Sequence, residues 1–277
     1  MKKKLISLLL ISTLVFVGCG DSESTDSNDQ KVDLSNGTYY ATADVESNGW
    51  MNFLEFTVED GKITDVTYDA YNMQDGDVRT KSERSEDGDY ELSGDGAALY
   101  EQYEAIEDYI AEGNDVSEIE FDENGNSDAI STATIKYGNV QDLYENAVEN
   151  GPIGDKGDLE DGYYFGQAEA DSKGNTAQIS YIVYNGVIVA AFADAAVPQD
   201  DGEIAYKSSL SIEGNYNLTE GSDPMHEQLA AISAYVVENQ GFNDAEYDDE
   251  GKTDAISGAT VTANVYEEAF DNAELVE

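Results

Sequence analysis

Apolar and polar residues alternate in two pairs of short segments, and each pair predicts a β-hairpin. Asp60-Gly61 separates the first pair and Asn185-Gly186 separates the second. Asp-Gly and Asn-Gly favour the two-residue turns that join antiparallel strands. The segments are FLEFTV (53–58) with ITDVTY (63–68), and AQISYIVY (177–184) with VIVAAF (187–192).

Apolar residues at helical spacing predict a long helix after each hairpin, with its stripe facing the core. Asp223 and Pro224 are predicted as the N-cap and first residue of the second of these helices. The stripes are Leu99, Tyr103, Ile106 and Ile110 in one helix, and Met225, Leu229, Ile232 and Val236 in the other. A short strand is then expected at 119–122 and 245–248, and a final helix at 139–148 and 264–273.

The chain contains an internal repeat. When it is shifted by 126 residues, positions 81–134 align with 207–260, and 21 of the 54 pairs are identical. Chance would give about three matches at ordinary residue frequencies, so the repeat is real. Helices mixed with antiparallel hairpins predict an α+β fold. The repeat predicts two tandem domains, at 33–150 and 151–277.

Glycine and proline cluster at 149–158 (ENGPIGDKGD), which predicts the domain boundary there. Each copy has its own hairpin and helices, so each is expected to bury its own core and to be separable near residue 155. Limited proteolysis is expected to cut at 150–158 or in the polar segment at 20–32.

The N-terminus predicts a lipoprotein signal peptide at 1–18. Three lysines at 2–4 precede an apolar run at 5–17, which is too short to span a bilayer comfortably. Cys19 stands where a lipidated cysteine would follow the cleavage site; the alternative is an ordinary signal peptide with an incidental cysteine. The polar segment at 19–32 is predicted to be a flexible tether from the cell membrane to the folded part. Cys19 is the single cysteine, which excludes an internal disulfide, an iron–sulfur cluster and a thiolate zinc site.

The net charge of −47 narrows the range of partners. Such a chain repels nucleic acid and anionic lipid headgroups, so a nucleic-acid function is not expected. The simplest interpretation of the charge is solubility in a salty or cation-rich medium, and the alternative is a specific cationic partner.

The motif DAISGAT (254–260), with DAISTAT (128–134) as its repeat partner, is the strongest chemical signal. Ser257 or Thr260 could simply cap the helix that follows. Gly258 and Ala259, however, leave the backbone open to a bulky group, and a helix N-terminus favours a phosphate. Neither motif has a neighbouring histidine to activate a threonine, so modification by a separate enzyme is favoured over self-catalysis.

These motifs resemble the flavinylation motif of FMN-binding domains, found in subunits of sodium-pumping oxidoreductases and in Gram-positive surface lipoproteins. The resemblance covers both copies, essentially residues 33–277. It implies that a flavin transferase attaches FMN through a phosphoester to Thr260 and Thr134, giving up to two covalent flavins. It places the cofactor-binding positions at Asp254, Ser257, Gly258 and Ala259 in one copy and at Asp128 and Ser131 in the other.

The first copy departs from this pattern, because Thr132 stands where the family has glycine. A β-branched residue there adds bulk beside the acceptor. We therefore expect Thr260 to be flavinylated more completely than Thr134 when the transferase is limiting.

The resemblance implies a lipid-anchored electron carrier on the extracytoplasmic face of the cell membrane. Electrons would come from a membrane quinol or dehydrogenase and leave for extracellular acceptors such as ferric iron or free flavins. Such a carrier needs no substrate pocket or resident metal, so whether it is an enzyme stays open. The alternative is a non-redox ligand-binding lipoprotein or a pheromone precursor, in which the motif only caps a helix.

The flavin ring needs side chains to lie against. The candidates are Lys207, Tyr216 and Met225, with Lys81, Tyr90 and Leu99 in the first copy; the alternative is that the tyrosines belong to the core or a turn. His226 is interpreted as surface decoration because its repeat partner is Tyr100. Trp50 has no evident counterpart.

Overall fold

A computed structural model describes residues 34–93, 96–113, 116–154, 156–218 and 221–276. The predicted signal peptide, Cys19 and the tether lie outside these residues. Within the described part, no helix combines the length and the apolar character needed to cross a bilayer.

Two antiparallel sheets form the framework. The turns at Asp60-Gly61 and Asn185-Gly186 have positive φ at both residues (51° and 73°, then 51° and 74°), as type I′ hairpins require. Both predicted hairpins are therefore confirmed. The first sheet has the order β1-β2-β3 and comprises β1 (Gly37–Thr42), β2 (Trp50–Glu59) and β3 (Lys62–Asn72). The second has the order β7-β6-β5-β4-β8 and comprises β4 (Gly162–Gln167), β5 (Thr176–Tyr184), β6 (Val187–Pro198), β7 (Ile204–Tyr206) and β8 (Glu274–Leu275).

Three helices follow each hairpin, so the mixed α+β class is confirmed. The helix of the second apolar stripe begins at Met225 and has Pro224 as its N-cap, one residue later than predicted. The helices are α1 (Lys81–Glu86), α2 (Leu99–Ala111) and α3 (Asn139–Asn150), then α4 (Lys207–Ile212), α5 (Met225–Asn239) and α6 (Asn264–Asp271).

The strands expected at 119–122 and 245–248 are wrong, because both stretches are irregular. A 3₁₀ turn at Val116–Glu118 precedes the first. Asp122 Oδ1 then accepts hydrogen bonds from the backbone N–H groups of Asn124 (2.8 Å) and Asn126 (3.0 Å). Asp248 makes the same pattern with Glu250 and Lys252, both at 2.9 Å. These aspartate turns satisfy the backbone locally and replace strand pairing.

Each half buries a core of its own between its sheet and its helices. Leu99, Ile106 and Ile110 of the first stripe and Leu229 and Ile232 of the second are at most 2% exposed. Burying such side chains contributes about 1.5–3 kcal/mol each to folding. The predicted role of the stripes as core packing is confirmed.

A third apolar cluster joins the two halves. It unites Met51 and Met73 of the first half with Tyr163, Ile182 and Ala190 of the second, all at most 5% exposed. Tyr71 and Tyr163 stack across this junction with ring centroids 5.8 Å apart. Residues 34–277 accordingly form one compact unit. The boundary near residue 150 stays a prediction about the sequence repeat.

Buried hydrogen bonds strengthen the same junction. Gln74 Nε2 donates to Asp194 Oδ2 at 3.0 Å and to Ser208 Oγ at 3.2 Å. Gln178 Nε2 donates in return to the Gln74 carbonyl at 2.8 Å, and Tyr163 donates its hydroxyl hydrogen to the Asn72 carbonyl at 3.2 Å. Breaking such bonds in a buried place leaves polar groups unpaired, which costs about 1–3 kcal/mol for each group.

The stability of the fold is expected to fall as the pH rises from about 4.5 to 7. Burial raises the pKa of Glu107, which accepts a hydrogen bond from the Tyr68 backbone N–H at 2.9 Å, from 4.5 to about 7. The native state then binds a proton that the unfolded chain has released, so this stabilisation is complete below pH 4.5 and is lost as pH rises through 7. Urea unfolding at several pH values should show that the free energy of unfolding falls less steeply with pH in Glu107→Gln than in the wild type. Parallel pH curves for the two proteins would contradict the assignment.

Candidate functional site

A buried glutamine holds the threonine of each motif. In the second half, Gln228 Oε1 accepts hydrogen bonds from Thr260 N (2.7 Å), Thr260 Oγ1 (3.1 Å) and Val261 N (3.1 Å). Gln228 Nε2 donates to the Asp223 carbonyl at 2.8 Å, which fixes the orientation of the amide. The glutamine is fully buried, whereas Thr260 is exposed.

The first half repeats this arrangement. Gln102 Oε1 accepts from Thr134 N (2.7 Å), Thr134 Oγ1 (3.2 Å) and Ile135 N (3.1 Å), and Gln102 Nε2 donates to the Ala97 carbonyl at 2.8 Å. Thr134 is also exposed. Both threonine hydroxyls are thus held by neutral amides, and both threonines are exposed to solvent.

The motif threonines do not cap the helix that follows them. Helix α6 begins at Asn264, four residues after Thr260, and its N-cap Ala263 makes no side-chain cap bond. Thr260 is bonded instead to Gln228, in the first turns of α5. The helix-cap interpretation is therefore wrong. The helix N-terminus near the motif is that of α5, which lies earlier in the chain.

The remaining motif residues form a tight turn, in which the Ala259 N–H donates to the Ile256 carbonyl at 3.2 Å. Gly258 has a φ of 91° there, which type II turns require at this position, and a Cβ on it would lie 3.4 Å from the Ala231 Cβ. At Thr132, its counterpart, φ is negative, so the two turns differ. Of the other predicted site residues, Asp128, Ser131, Asp254 and Ser257 are exposed, and Ala259 is buried.

A cleft of about 400 Å³ opens beside the second motif. Lys207, Tyr216 and Met225, the three residues predicted to hold a ring, line it together with Val261. The Lys207 ammonium lies 5.8 Å from the Tyr216 ring centroid, and desolvation lowers the pKa of this lysine. The cleft therefore offers an aromatic face, a thioether and a cation to one bound group.

The corresponding residues of the first half are arranged differently. Lys81 Nζ lies 4.9 Å from the Trp50 ring and 5.0 Å from the Tyr90 ring. A cavity of about 540 Å³ adjoins Thr134 and is lined by Tyr90 and Leu99, but its lining includes neither Lys81 nor Trp50. In the second half all three predicted residues therefore line one cleft, whereas in the first half Lys81 lies over Tyr90 but does not line the cavity.

Two pairs of buried polar residues were not predicted, and one of them, Gln102 and Gln228, holds the motif threonines. Gln102 and Gln228 fall on the apolar stripes of their helices, and an amide at a core position of both copies was an available signal. Asp194 is buried and accepts hydrogen bonds from the Ala195 N–H (2.7 Å) and the Ser208 N–H (3.0 Å). Asp69 is its partner in the first half, and burial raises the pKa of both carboxyls.

His226 is half-buried and not merely surface decoration. Its Nδ1 lies 3.0 Å from Ser211 Oγ. Among the described residues, no cluster of three or more histidine, cysteine, aspartate or glutamate side chains is arranged to hold a metal ion.

Gln228→Leu is expected to release the Thr260 loop. Leucine has nearly the same size but cannot accept the three hydrogen bonds, so two backbone N–H groups lose their partner, at a cost of about 1–3 kcal/mol for each group. Hydrogen exchange should show faster exchange at Thr260 and Val261, and urea unfolding should give the loss of stability. Gln167→Leu, at the exposed end of β4, is the control. Unchanged exchange at Thr260 in Gln228→Leu would contradict the role of the glutamine.

The chain is similar to known proteins over only part of its length. No family model matches the chain. Over 58 residues, or 21% of this chain, it is 43% identical to the 15 kDa lipoprotein of Treponema pallidum (strain Nichols), and the match spans 37% of that lipoprotein. A solution NMR structure of a Clostridium thermocellum protein is 38% identical; the match covers 42% of this chain and 92% of that one, with a TM-score of 0.34. The chain is therefore similar to a lipoprotein over about a fifth of its length.

Proposed function

We propose that the protein is a membrane-tethered electron carrier on the extracytoplasmic side of the cell, with FMN attached covalently to Thr260 and Thr134. The observation that carries the proposal is the matched presentation of two exposed threonine hydroxyls by buried glutamines. A structural turn has no need of an exposed hydroxyl at the same place in both halves. A modifying enzyme needs both a fixed loop and an accessible acceptor atom.

The second-half cleft fits a flavin. Its volume of about 400 Å³ lies in the range of small-molecule pockets, and it begins at Val261, next to the acceptor threonine. Tyr216 offers a flat face, and Lys207 offers a positive charge on a half-buried side chain. Bound FMN would supply the redox chemistry, while these residues would orient the ring and favour its more negative, reduced form.

The attachment reaction would need a separate transferase to supply the base that accepts the threonine proton. Thr260 Oγ1 would form a bond to the FMN phosphorus of FAD, the pyrophosphate bond would break, and AMP would leave. The hydroxyl proton must pass to a base, but the hydrogen-bond partner of Oγ1 is the amide oxygen of Gln228, which is not basic. The base must therefore come from the transferase.

A carrier of this kind would receive electrons from a membrane quinol or dehydrogenase. It would pass them to extracellular acceptors such as ferric iron or free flavins. The covalent bond suits this location, because a dissociable cofactor outside the cell would be lost by dilution. The similarity to a lipoprotein supports the membrane tether.

Cys19→Ser is expected to release the protein from the membrane without altering its fold. Cys19 is the single cysteine, and a diacylglyceryl group on it would supply the two acyl chains that stable anchoring needs. Fractionation of cells should find the variant in the medium or the soluble fraction, with an unchanged circular dichroism spectrum. A variant that stays in the membrane fraction would show that another segment anchors it.

The direct test of the proposed function is expression of the chain with and without a flavin transferase. A denaturing gel should show a fluorescent band only with the transferase, because a covalent flavin survives denaturation. A chain that stays non-fluorescent with an active transferase, while a known substrate in the same cells becomes fluorescent, would overturn the proposal.

A further inference from the structure

The two halves build the same turn before the second strand of each sheet. In the first half, the Glu46 N–H donates to the Trp50 carbonyl at 2.8 Å. In the second half, the Asp171 N–H donates to the Asn175 carbonyl, also at 2.8 Å. Trp50 and Asn175 are 125 residues apart, the offset that also relates the two hairpin turns. Trp50 therefore has a counterpart, and it is Asn175.

The two counterparts have opposite effects on the space beside them. Trp50 is 8% exposed, and its ring meets Tyr90 edge-on at a centroid distance of 5.8 Å. Lys81 lies over the Trp50 ring at 4.9 Å and Arg84 at 4.8 Å. Asn175, by contrast, lines the open cleft together with the matching lysine and tyrosine of the second half.

Two other core positions also differ in side-chain size between the halves, but there the differences compensate each other. Tyr68 of β3 corresponds to Ala193 of β6, while Val140 of α3 corresponds to Tyr266 of α6. Each half thus has one tyrosine and one small residue at these two positions, and all four are buried. At the turn before the second strand, the first half has a buried indole where the second half has an amide that lines the cleft. The indole of Trp50 therefore fills the space that is open beside Asn175.

We propose that Trp50 closes the part of the first-half cleft that Asn175 leaves open in the second half, so that a planar ring such as isoalloxazine is held in this part beside Thr260 and not at the equivalent place beside Thr134. The identity of the ring rests on the proposed function, but the closure by Trp50 does not. FMN attached to Thr134 would lie in the cavity lined by Tyr90, Leu92 and Leu99, the counterparts of three residues that line the second-half cleft, but outside the space that Trp50 fills. The two flavins would then have different surroundings and different reduction potentials.

The test uses lumiflavin, the bare ring system, with the unflavinylated chain. Equilibrium dialysis counts bound rings directly and avoids quenching of flavin fluorescence by tryptophan. The wild-type chain is expected to bind one ring. Asn175→Trp should weaken this binding by at least about tenfold, because the indole fills the cleft as Trp50 does. Asn239→Trp, on the exposed end of α5, is the matched control and should bind like the wild type.

Trp50→Asn is the reciprocal variant and should bind a second ring in the first half, while Trp50→Phe should not. Should Trp50→Asn fail to fold, Asn175→Trp decides the question alone. Binding that is unaffected by Asn175→Trp would overturn the proposal, as would a wild-type chain that binds no ring. If one ring binds but the transferase attaches no FMN, the proposed function fails while the cleft assignment stands.

Discussion

Thr260→Ala is expected to remove one covalent FMN from the intact protein, and Thr260→Ala with Thr134→Ala is expected to remove both. Alanine lacks the oxygen that forms the phosphoester, so the effect on each site is complete rather than partial. Intact-protein mass spectrometry after expression with the transferase reads the number of attached groups. Because the two loops are held by different helices, each single variant should leave the other site occupied.

The matched control is Thr262→Ala. Thr262 is exposed, lies in the same loop and lines the same cleft, but Gln228 does not hold it. The control should keep its FMN. Thr132→Gly tests the expected asymmetry and should raise occupancy at Thr134 when the transferase is limiting. Covalent FMN on the double alanine variant would show that the site assignment is wrong. Filling of Thr134 before Thr260 would refute the steric argument about Thr132 alone.

A chain cleaved between the halves is expected to stay together. The segment before β4 is itself tied down, since the Ile153 N–H donates to Thr38 O at 2.7 Å and the Gly157 N–H donates to Asn185 O at 2.8 Å. Easy proteolysis at 150–158, expected from glycine and proline content, should therefore be slow. When a protease recognition sequence is inserted after Gly154 and cut, the two fragments should co-elute in size-exclusion chromatography under native conditions.

Met73→Asp should separate the cleaved fragments. Met73 is fully buried in the cluster that joins the halves, and an unpaired carboxylate there costs several kcal/mol. Gln199→Asp, on the exposed turn after β6, introduces the same charge outside the cluster and should leave the fragments associated. Fragments of the unaltered protein that elute separately would show that the halves are independent domains joined only by their linker.

Local chemistry in the sequence predicted the parts of the fold that depend on neighbours in the chain. Asp60-Gly61 and Asn185-Gly186 specify their hairpins, and the spacing from Leu99 to Ile110 specifies a helix. The prediction of the two short strands was wrong because the Asp122 and Asp248 side chains accept hydrogen bonds from nearby backbone N–H groups. Apolar content does not reveal that such bonds compete with strand pairing.

The features that the sequence did not reveal depend on residues far apart in the chain. Gln74 meets Asp194 across 120 positions, and no periodicity marks either residue as a partner of the other. The motif threonines were identified, but the helix that holds them was not, because Gln228 precedes Thr260 by 32 residues. Trp50 seemed to lack a counterpart because Asn175 shares its place in a turn but not its chemistry.

The buried junction between the halves has a consequence for electron exchange. Thr134 and Thr260 belong to one compact unit, so groups attached to them would keep a separation fixed at folding. On a loose linker, the rate of exchange would follow the diffusion of one half towards the other and would fall in a viscous medium. In this protein the rate would instead depend on tunnelling across a constant gap, and it would be insensitive to viscosity.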